Sequence, residues 1–245
     1  MSDNIRAATL IALAMVLSTV IAAWAFLHAK DLNNTIDITG SYKKRIKSDL
    51  IIWRASVVVE APTLADAYSR LSRDIEKVRA FLVAKKIPES QIVISSVDAR
   101  PMRKSGRAQE YEGGESGGPI TGYHLTQSLQ IKSTEIDNIT AVSRQVTELI
   151  NQGILLQSDA PQYLYTKLAE VKVEILAEAA KDALARANQI ASSTGSRIGE
   201  VRSADMGVLQ ITSADSTEVT GYGVNDTSSL EKDITAVVHV KFALK

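Results

Sequence analysis

The stretch Ala7–Leu27, AATLIALAMVLSTVIAAWAFL, runs for 21 residues without a charged side chain. As a helix rising about 1.5 Å per residue it reaches roughly 31 Å, the thickness of a bilayer's hydrocarbon core. A terminal helix apolar on every side has no single face to lay on a soluble core. The run therefore divides the chain into a part for lipid, or for removal, and a part that folds in water. A secretory signal has a shorter apolar region, about 7–15 residues, ending in a small-x-small cleavage site. Ala23-Trp24-Ala25 offers one such site. Trp24 also suits the lipid–water interface of an uncleaved helix, and Phe26 and Leu27 extend the apolar run past the would-be cut. The balance favours a retained anchor marked by Ala7, Leu13, Val20, Trp24 and Leu27. A cleaved leader is the competing reading and a buried core helix the third. Arg6 and the amino terminus outweigh Asp3 on the short side, whereas Lys30 stands beside Asp31 on the other, which orients the N-terminus inward. The expected organisation is a cytoplasmic N-terminus over 1–6, a transmembrane helix over 7–27, a linker over 28–35 and one extracytoplasmic domain over 36–245.

Beyond the run the chain is long enough for one large core or two small lobes. It carries 28 Lys plus Arg against 28 Asp plus Glu. That balance argues against nucleic acid, which needs a concentrated positive surface. Cysteine is absent, which excludes disulfides, thiol catalysis and thiolate metal sites.

Period-two alternation begins at Ile36. Ile36, Ile38, Gly40, Tyr42, Lys44 and Ile46 share one face, and after the turn KSD, Trp53, Ala55, Val57 and Val59 share another. Pro62 and the capping pair Thr63 and Asp66 open a helix with Leu64, Tyr68, Leu71, Ile75, Val78 and Leu82 as its stripe. QIVISSVDARPM is a strand whose apolar phase slips, predicting a bulge at Ser95–Ser96. A polar glycine-rich loop covers 103–119. Tyr123, Leu125, Leu129 and Ile131 mark a strand interrupted by Gln127. A second helix is expected over 134–152, stopped by Gly153. GILLQS and QYLYTKL are short strands around Pro161. The longest helix, 167–194, holds seven alanines between Ala177 and Ala191 and closes at Gly195. Strands near 197–212 and over 233–243 finish the chain, with a polar loop over 213–232 between them. Helices 64–87 and 167–194 correspond, as do the two loops, which suggests an internal duplication with lobes 36–133 and 134–245. The fold class is α+β, antiparallel sheets covered by helices. Open sheet edges invite pairing with another copy.

The chain shows little catalytic chemistry. His28 reads as interfacial, and His124 and His239 as exposed strand residues without a metal-ligand cluster. GGESGG precedes a strand rather than a helix, so it reads as a hairpin tip and not a phosphate loop. YKKRIK at 42–47 reads as a solvated face, with an anionic partner as the sharper alternative. The alanine-rich helix is expected to pack on its own sheet. Catalytic residues, cofactors and metals are therefore all assigned as none.

Three segments taken together resemble the SIMPL-domain family of bacterial envelope proteins. They are ITGSYKKRIKSDLIIW, with Gly40 and Trp53; APQYLYTKLAEVKVEILAEAAKDALARA, with Pro161, Gln162 and Tyr163; and SSTGSRIGEVRSADMGVLQI, with Gly195. The resemblance covers 36–245 and implies structural motif residues, without catalytic ones. It also implies a place in the periplasm or envelope, a link to oxidative-stress defence, and in one member a ring-like assembly. The combined expectation is a single-pass inner-membrane protein that self-assembles as an envelope scaffold or stress-tolerance factor. Its partners are then copies of itself and membrane lipid, not nucleic acid. The alternative is a module that binds an envelope ligand or protein through loops 103–119 and 213–232. A detoxifying enzyme is the remote third reading.

Overall fold

The structure is a computed structural model that describes residues 12–25, 34–104, 118–217 and 220–245. Residues 12–25 form a helix, α1, with Leu13, Val20 and Trp24 exposed. Among the described residues no helix is long and apolar enough to cross a membrane. Ala7 and Leu27, the two ends of the expected anchor, lie outside the described residues, as do His28 and 105–117 of the first polar loop.

The rest is α+β, built on two antiparallel sheets. The first sheet has the order β1 (Thr35–Lys47), β10 (Glu231–Leu244), β8 (Ile198–Met206), with β9 (Gln210–Ser213) also on β10. The second has the order β3 (Ile92–Ile94), β5 (Ile120–Ser133), β2 (Leu50–Ala61), β6 (Leu155–Ser158). Within it β4 (Asp98–Arg103) pairs with β5 and β7 (Gln162–Leu164) with β2. Helix α4 (Leu168–Ser193) covers the first sheet; α2 (Leu64–Ala84) and α3 (Ile136–Gln145) cover the second. Each sheet has its own apolar core.

This partition differs from lobes at 36–133 and 134–245. β1 and β2 are joined by Ser48 and Asp49 alone, yet they enter different sheets. β1 pairs along its whole length with β10 at the far end of the chain. In the first sheet the first strand, β1, lies beside the last, β10, and β8 lies on β10's other side; in the second, β2 lies between β5 and the later strands β6 and β7. The whole unit from β2 to β7 is thus inserted between β1 and its helix α4. Two alternating strands separated by a short polar turn look the same whether they form a hairpin or part company. Only the non-local pairing distinguishes the two cases.

Local chemistry explains the elements. Thr63 Oγ1 accepts from Asp66 N at 3.2 Å and donates to its Oδ2 at 2.7 Å, which caps α2. The buried stripe of α2 is Ala67, Leu71, Ile75, Val78 and Leu82, whereas Leu64 and Tyr68, expected in it, are exposed. Ala67, between them, is fully buried, so the stripe's centre runs through Ala67 and Leu71 rather than through Leu64 and Tyr68. Ile94 faces Leu129 and Asp98 faces Thr126, so the β3–β4 side carries one residue more than β5 between these pairs, the expected bulge. Gln127 stands there because its Nε2 donates to the bulge carbonyl of Ser95 at 2.8 Å. The single helix expected over 134–152 is instead α3 followed by a 3-10 turn over Val146–Gln152, ending at Gly153 with φ +77°.

Candidate functional site

The first sheet carries the two surfaces that look functional, and α4 determines both. Alanine is the strongest helix former, and Asp182–Arg186 at 2.8 Å and Glu178–Lys181 at 2.6 Å add ion pairs along the helix. Gly195, at φ +75°, lets the chain reverse, and Ser196 N closes on Ala191 O at 2.9 Å. The inner face of α4 is Val171, Ile175, Ala179, Ala183, Ala187 and Ala191. Small residues every fourth position bring the helix axis close to the sheet. At Gly40 of β1 the approach is so close that a Cβ would lie 2.2 Å from Ala179 O and 2.5 Å from Ala183 N. Asp182 also accepts from the backbone N–H of Ser41 at 2.9 Å, which occupies part of β1. This hydrogen bond, then Arg186, holds the Asp182 carboxyl below its ordinary value.

Because α4 is drawn toward β1, it leaves β8 uncovered. Val201, Ala204 and Met206 pair with Phe242, Val240 and Val238 of the buried face of β10, so they point to the helix side. Yet Val201 is 55% and Met206 53% exposed. Leu184 and Ile190 of α4 are exposed as well. Among the described residues β8 pairs with β10 alone, so its outer edge is free.

The opposite face of the same sheet carries a cleft of about 450 Å³. Its floor is Lys43, Thr235, Val237 and His239, the outward row of β1 and β10; its roof, among the described residues, is Gly207, Val208, Ser216, Thr217, Thr220 and Gly221. Two clamps hold that roof. Gln210, buried, donates from Nε2 to Thr220 O at 2.8 Å and accepts from Val224 N at 3.0 Å. Asp233, its side chain 1% exposed, accepts from Asp215 N at 3.1 Å, from Arg45 Nε at 3.0 Å and from Lys43 Nζ at 3.3 Å. Arg45 also pairs with Asp215 itself. The Arg45 hydrogen bond holds the Asp233 carboxyl far below the usual carboxylate range, against the opposing effect of burial. The charges of YKKRIK are therefore engaged with acids and are not a plainly solvated face; Lys44 likewise pairs with Glu174 at 2.6 Å.

The remaining motif residues sit at the junction of the two sheets or inside the second core. Trp53 is fully buried; its Nε1 donates to Ser158 Oγ at 3.0 Å, which donates to Ser143 O at 2.7 Å. Pro161 precedes β7, where Gln162 is exposed. Tyr163 bonds Thr140 through its hydroxyl at 3.1 Å, and its N donates to Thr227 O at 2.7 Å. Lys232, 2% exposed, donates to Tyr163 O at 2.6 Å and to Asp226 O, tying β7 to the loop before β10. Burial pushes its ammonium pKa down from 10.5, opposed by the nearby Asp226. His124 contacts Glu60 at 3.0 Å and His239 contacts Thr39 at 3.0 Å. Among the described residues no group of three or more His, Asp or Glu side chains is placed to hold a metal ion. Sequence reasoning missed Asp233, Lys232 and Gln210. Their one visible signal was that Lys232 and Asp233 directly precede the buried alternation starting at Ile234.

Residues 36–242 match the family described as SIMPL, protein of unknown function (DUF541). The chain belongs to the SIMPL family. The match begins with β1 and ends within β10, the two strands that close the first sheet, so the inserted unit lies inside one family domain. No curated protein matches the chain.

Proposed function

We propose that this SIMPL chain is an envelope scaffold: anchored in the bacterial inner membrane through 7–27, with its domain outside the cytoplasm, it assembles with copies of itself through β8. The observation that carries this reading is the bare edge and bare helix-side row of β8. Pairing two copies of β8 about a twofold axis would satisfy the backbone groups of that edge and cover Val201, Ala204 and Met206. Glu200, Arg202 and Asp205 give the edge both signs of charge, which suits self-pairing. Confinement to a membrane raises the effective concentration of copies. A ring and a part in oxidative-stress tolerance, both implied by the family resemblance, would extend the same reading and need a second contact between subunits.

The chain's lack of cysteine makes the test direct. Single cysteines are placed at each position from Glu200 to Ala204 in the full-length protein, and native membranes are mildly oxidised. At least one, near the middle of β8, is expected to give a disulfide-linked dimer. Lys181→Cys, on the exposed side of α4, is expected to remain monomeric. Equal cross-linking of the β8 series and the α4 control would rule the contact out. A second reading, a ligand-binding module, is supported by the clamped cleft beneath Gly207, Val208, Thr220 and Gly221.

A further inference from the structure

Pairing through β8 constrains how the domain meets the lipid. Two copies of one strand edge, joined as an isologous contact, run antiparallel about a twofold axis perpendicular to the joined sheet. Both anchors enter the same membrane, so that axis lies along the membrane normal. The joined sheet is then parallel to the bilayer, with either the α4 layer or the opposite face turned to the lipid. The tether permits both. Residues 28–34 link the apolar run to the start of β1 at Thr35 and span at most about 25 Å when extended, more than the width of a helix, about 10–12 Å.

The two faces differ in chemistry. The acids of α4, Glu170, Glu174, Glu178 and Asp182, recur every fourth residue and so share one flank. That flank faces β1, where Glu174 meets Lys44 and Asp182 accepts from the Ser41 N–H. The flank turned toward β8 holds Lys172, Leu176, Ala180, Leu184 and Asn188, and Asn188 shares a pocket with Ile198 of β8. The row farthest from the sheet is Val173, Ala177, Lys181, Ala185 and Gln189, all exposed. Val173 is 71% exposed and Leu184 45%. The charged side chains of these two rows, Lys172 and Lys181, are both basic. Aliphatic residues with lysines beside them are the make-up of a helix that lies in a membrane interface, the lysine stems letting their ammonium groups reach the phosphates. The opposite face carries Asp37, Asp205, Lys43, Arg45, His239 and Lys241, a mixed polar set that gains nothing from an apolar boundary.

Resting on the anchored, β8-paired reading above, we propose that the outer face of α4 is the domain's membrane-contact surface. Val173, Ala177 and Leu184 lie at the acyl boundary of the phospholipids, and Lys172 and Lys181 lie among the headgroups.

The test uses full-length protein in nanodiscs of phosphatidylcholine and phosphatidylglycerol that carry a nitroxide on a fraction of the headgroups. The chain has no cysteine, so a bimane fluorophore can be placed at one site at a time: Val173→Cys, Leu184→Cys and, on the opposite face of β8, Ser203→Cys. Blue-shifted, quenched emission is expected at the two α4 sites and neither effect at Ser203. With the fluorophore moved to Ala177→Cys, the pair Val173→Glu and Leu184→Glu should abolish the quenching. Both residues are exposed, so helix content by circular dichroism should hold; the single reporters stand by themselves if that variant misfolds. Quenching at Ser203 alone, equal quenching on both faces, or quenching at Ala177 that survives the two glutamates would overturn the proposal. Subunit mass separates it from the reading beneath it. Unquenched α4 reporters on an intact subunit of 26.5 kDa reject this face and leave the anchor standing. A subunit lighter by roughly 2.5 kDa rejects the anchor and this face with it. Quenching on α4 without cross-links through β8 supports the face and rejects the β8 contact.

Discussion

Replacing Gly40 by alanine tests how α4 is seated. The added Cβ would stand 2.2 Å from Ala179 O, 2.5 Å from Ala183 N and 2.7 Å from Ala183 Cβ. Two of these are backbone atoms of a regular helix, so no side-chain rotation relieves the clash. The helix must retreat by about 1 Å to restore ordinary contact distances, and a gap of that size forfeits a quarter to a half of each dispersion contact along the seam. Overpacking of this kind costs about 1–3 kcal/mol. Loss of glycine's unfolded-state freedom offsets about 0.4–1 kcal/mol. The net expectation is a loss of about 1.3 kcal/mol, or about 3–5 °C in melting temperature for a domain of this size. The assay is thermal unfolding of full-length protein in nanodiscs by circular dichroism. Gly221→Ala is the control, since a Cβ there meets no described atom within 4 Å, and with only the unfolded-state gain it should melt about 1–4 °C above the parent. Fluorescence of Trp53, in the other core, should change less than the helix signal. If Gly40→Ala melted with the Gly221→Ala control, the close seating of α4, and with it the explanation of why β8 is bare, would be refuted.

Three further outcomes follow. The Asp233 carboxyl lies below its ordinary value of 3.8 because Arg45 bonds it, so its stabilisation is full above that value and is lost as pH falls beneath it. Asp233→Asn should flatten the acid limb of a stability–pH profile and cost about 2 kcal/mol at neutral pH; an unchanged acid limb would contradict this. Lys232→Met keeps the side chain's length but leaves Tyr163 O and Asp226 O without their donor. It should destabilise by about 2 kcal/mol and speed amide exchange around 163–166 and 226–230, and a protected junction would argue against the clip. Gln210→Ala removes both bonds to the roof; faster exchange of the Val224 amide is expected while β10 stays protected, and unchanged exchange would mean that the roof stands without this clamp.

Much of the fold was legible because its signals are local. Alternation through Ile38 to Ile46 and Ile234 to Phe242, the Thr63–Asp66 cap and the phase slip at Ser95 each rest on neighbours in sequence. The partition into sheets was not legible, since β1 finds β10 across almost the whole chain and nothing in KSD distinguishes a hairpin from a departure. Gly40 could be read as a motif residue, but its reason required the position of Ala179 and Ala183. The cleft was hidden more deeply. Asp233, Gln210 and Lys43 lie on separate elements, and each alone looks like an ordinary polar strand residue. Leu64 and Tyr68 fit the helical stripe by period, yet the small Ala67 takes the buried place between them, which the apolar pattern did not mark.

The central claim is an anchored assembly joined through β8. Native mass spectrometry of the untagged full-length protein, extracted from membranes in mild detergent, reports subunit mass and assembly mass together. The account predicts an intact subunit of 26.5 kDa in a uniform oligomer, and a monomer when Val201 and Met206 are both replaced by glutamate. A subunit lighter by roughly 2.5 kDa, as removal of a leader would leave, running as a monomer at every concentration, would contradict it.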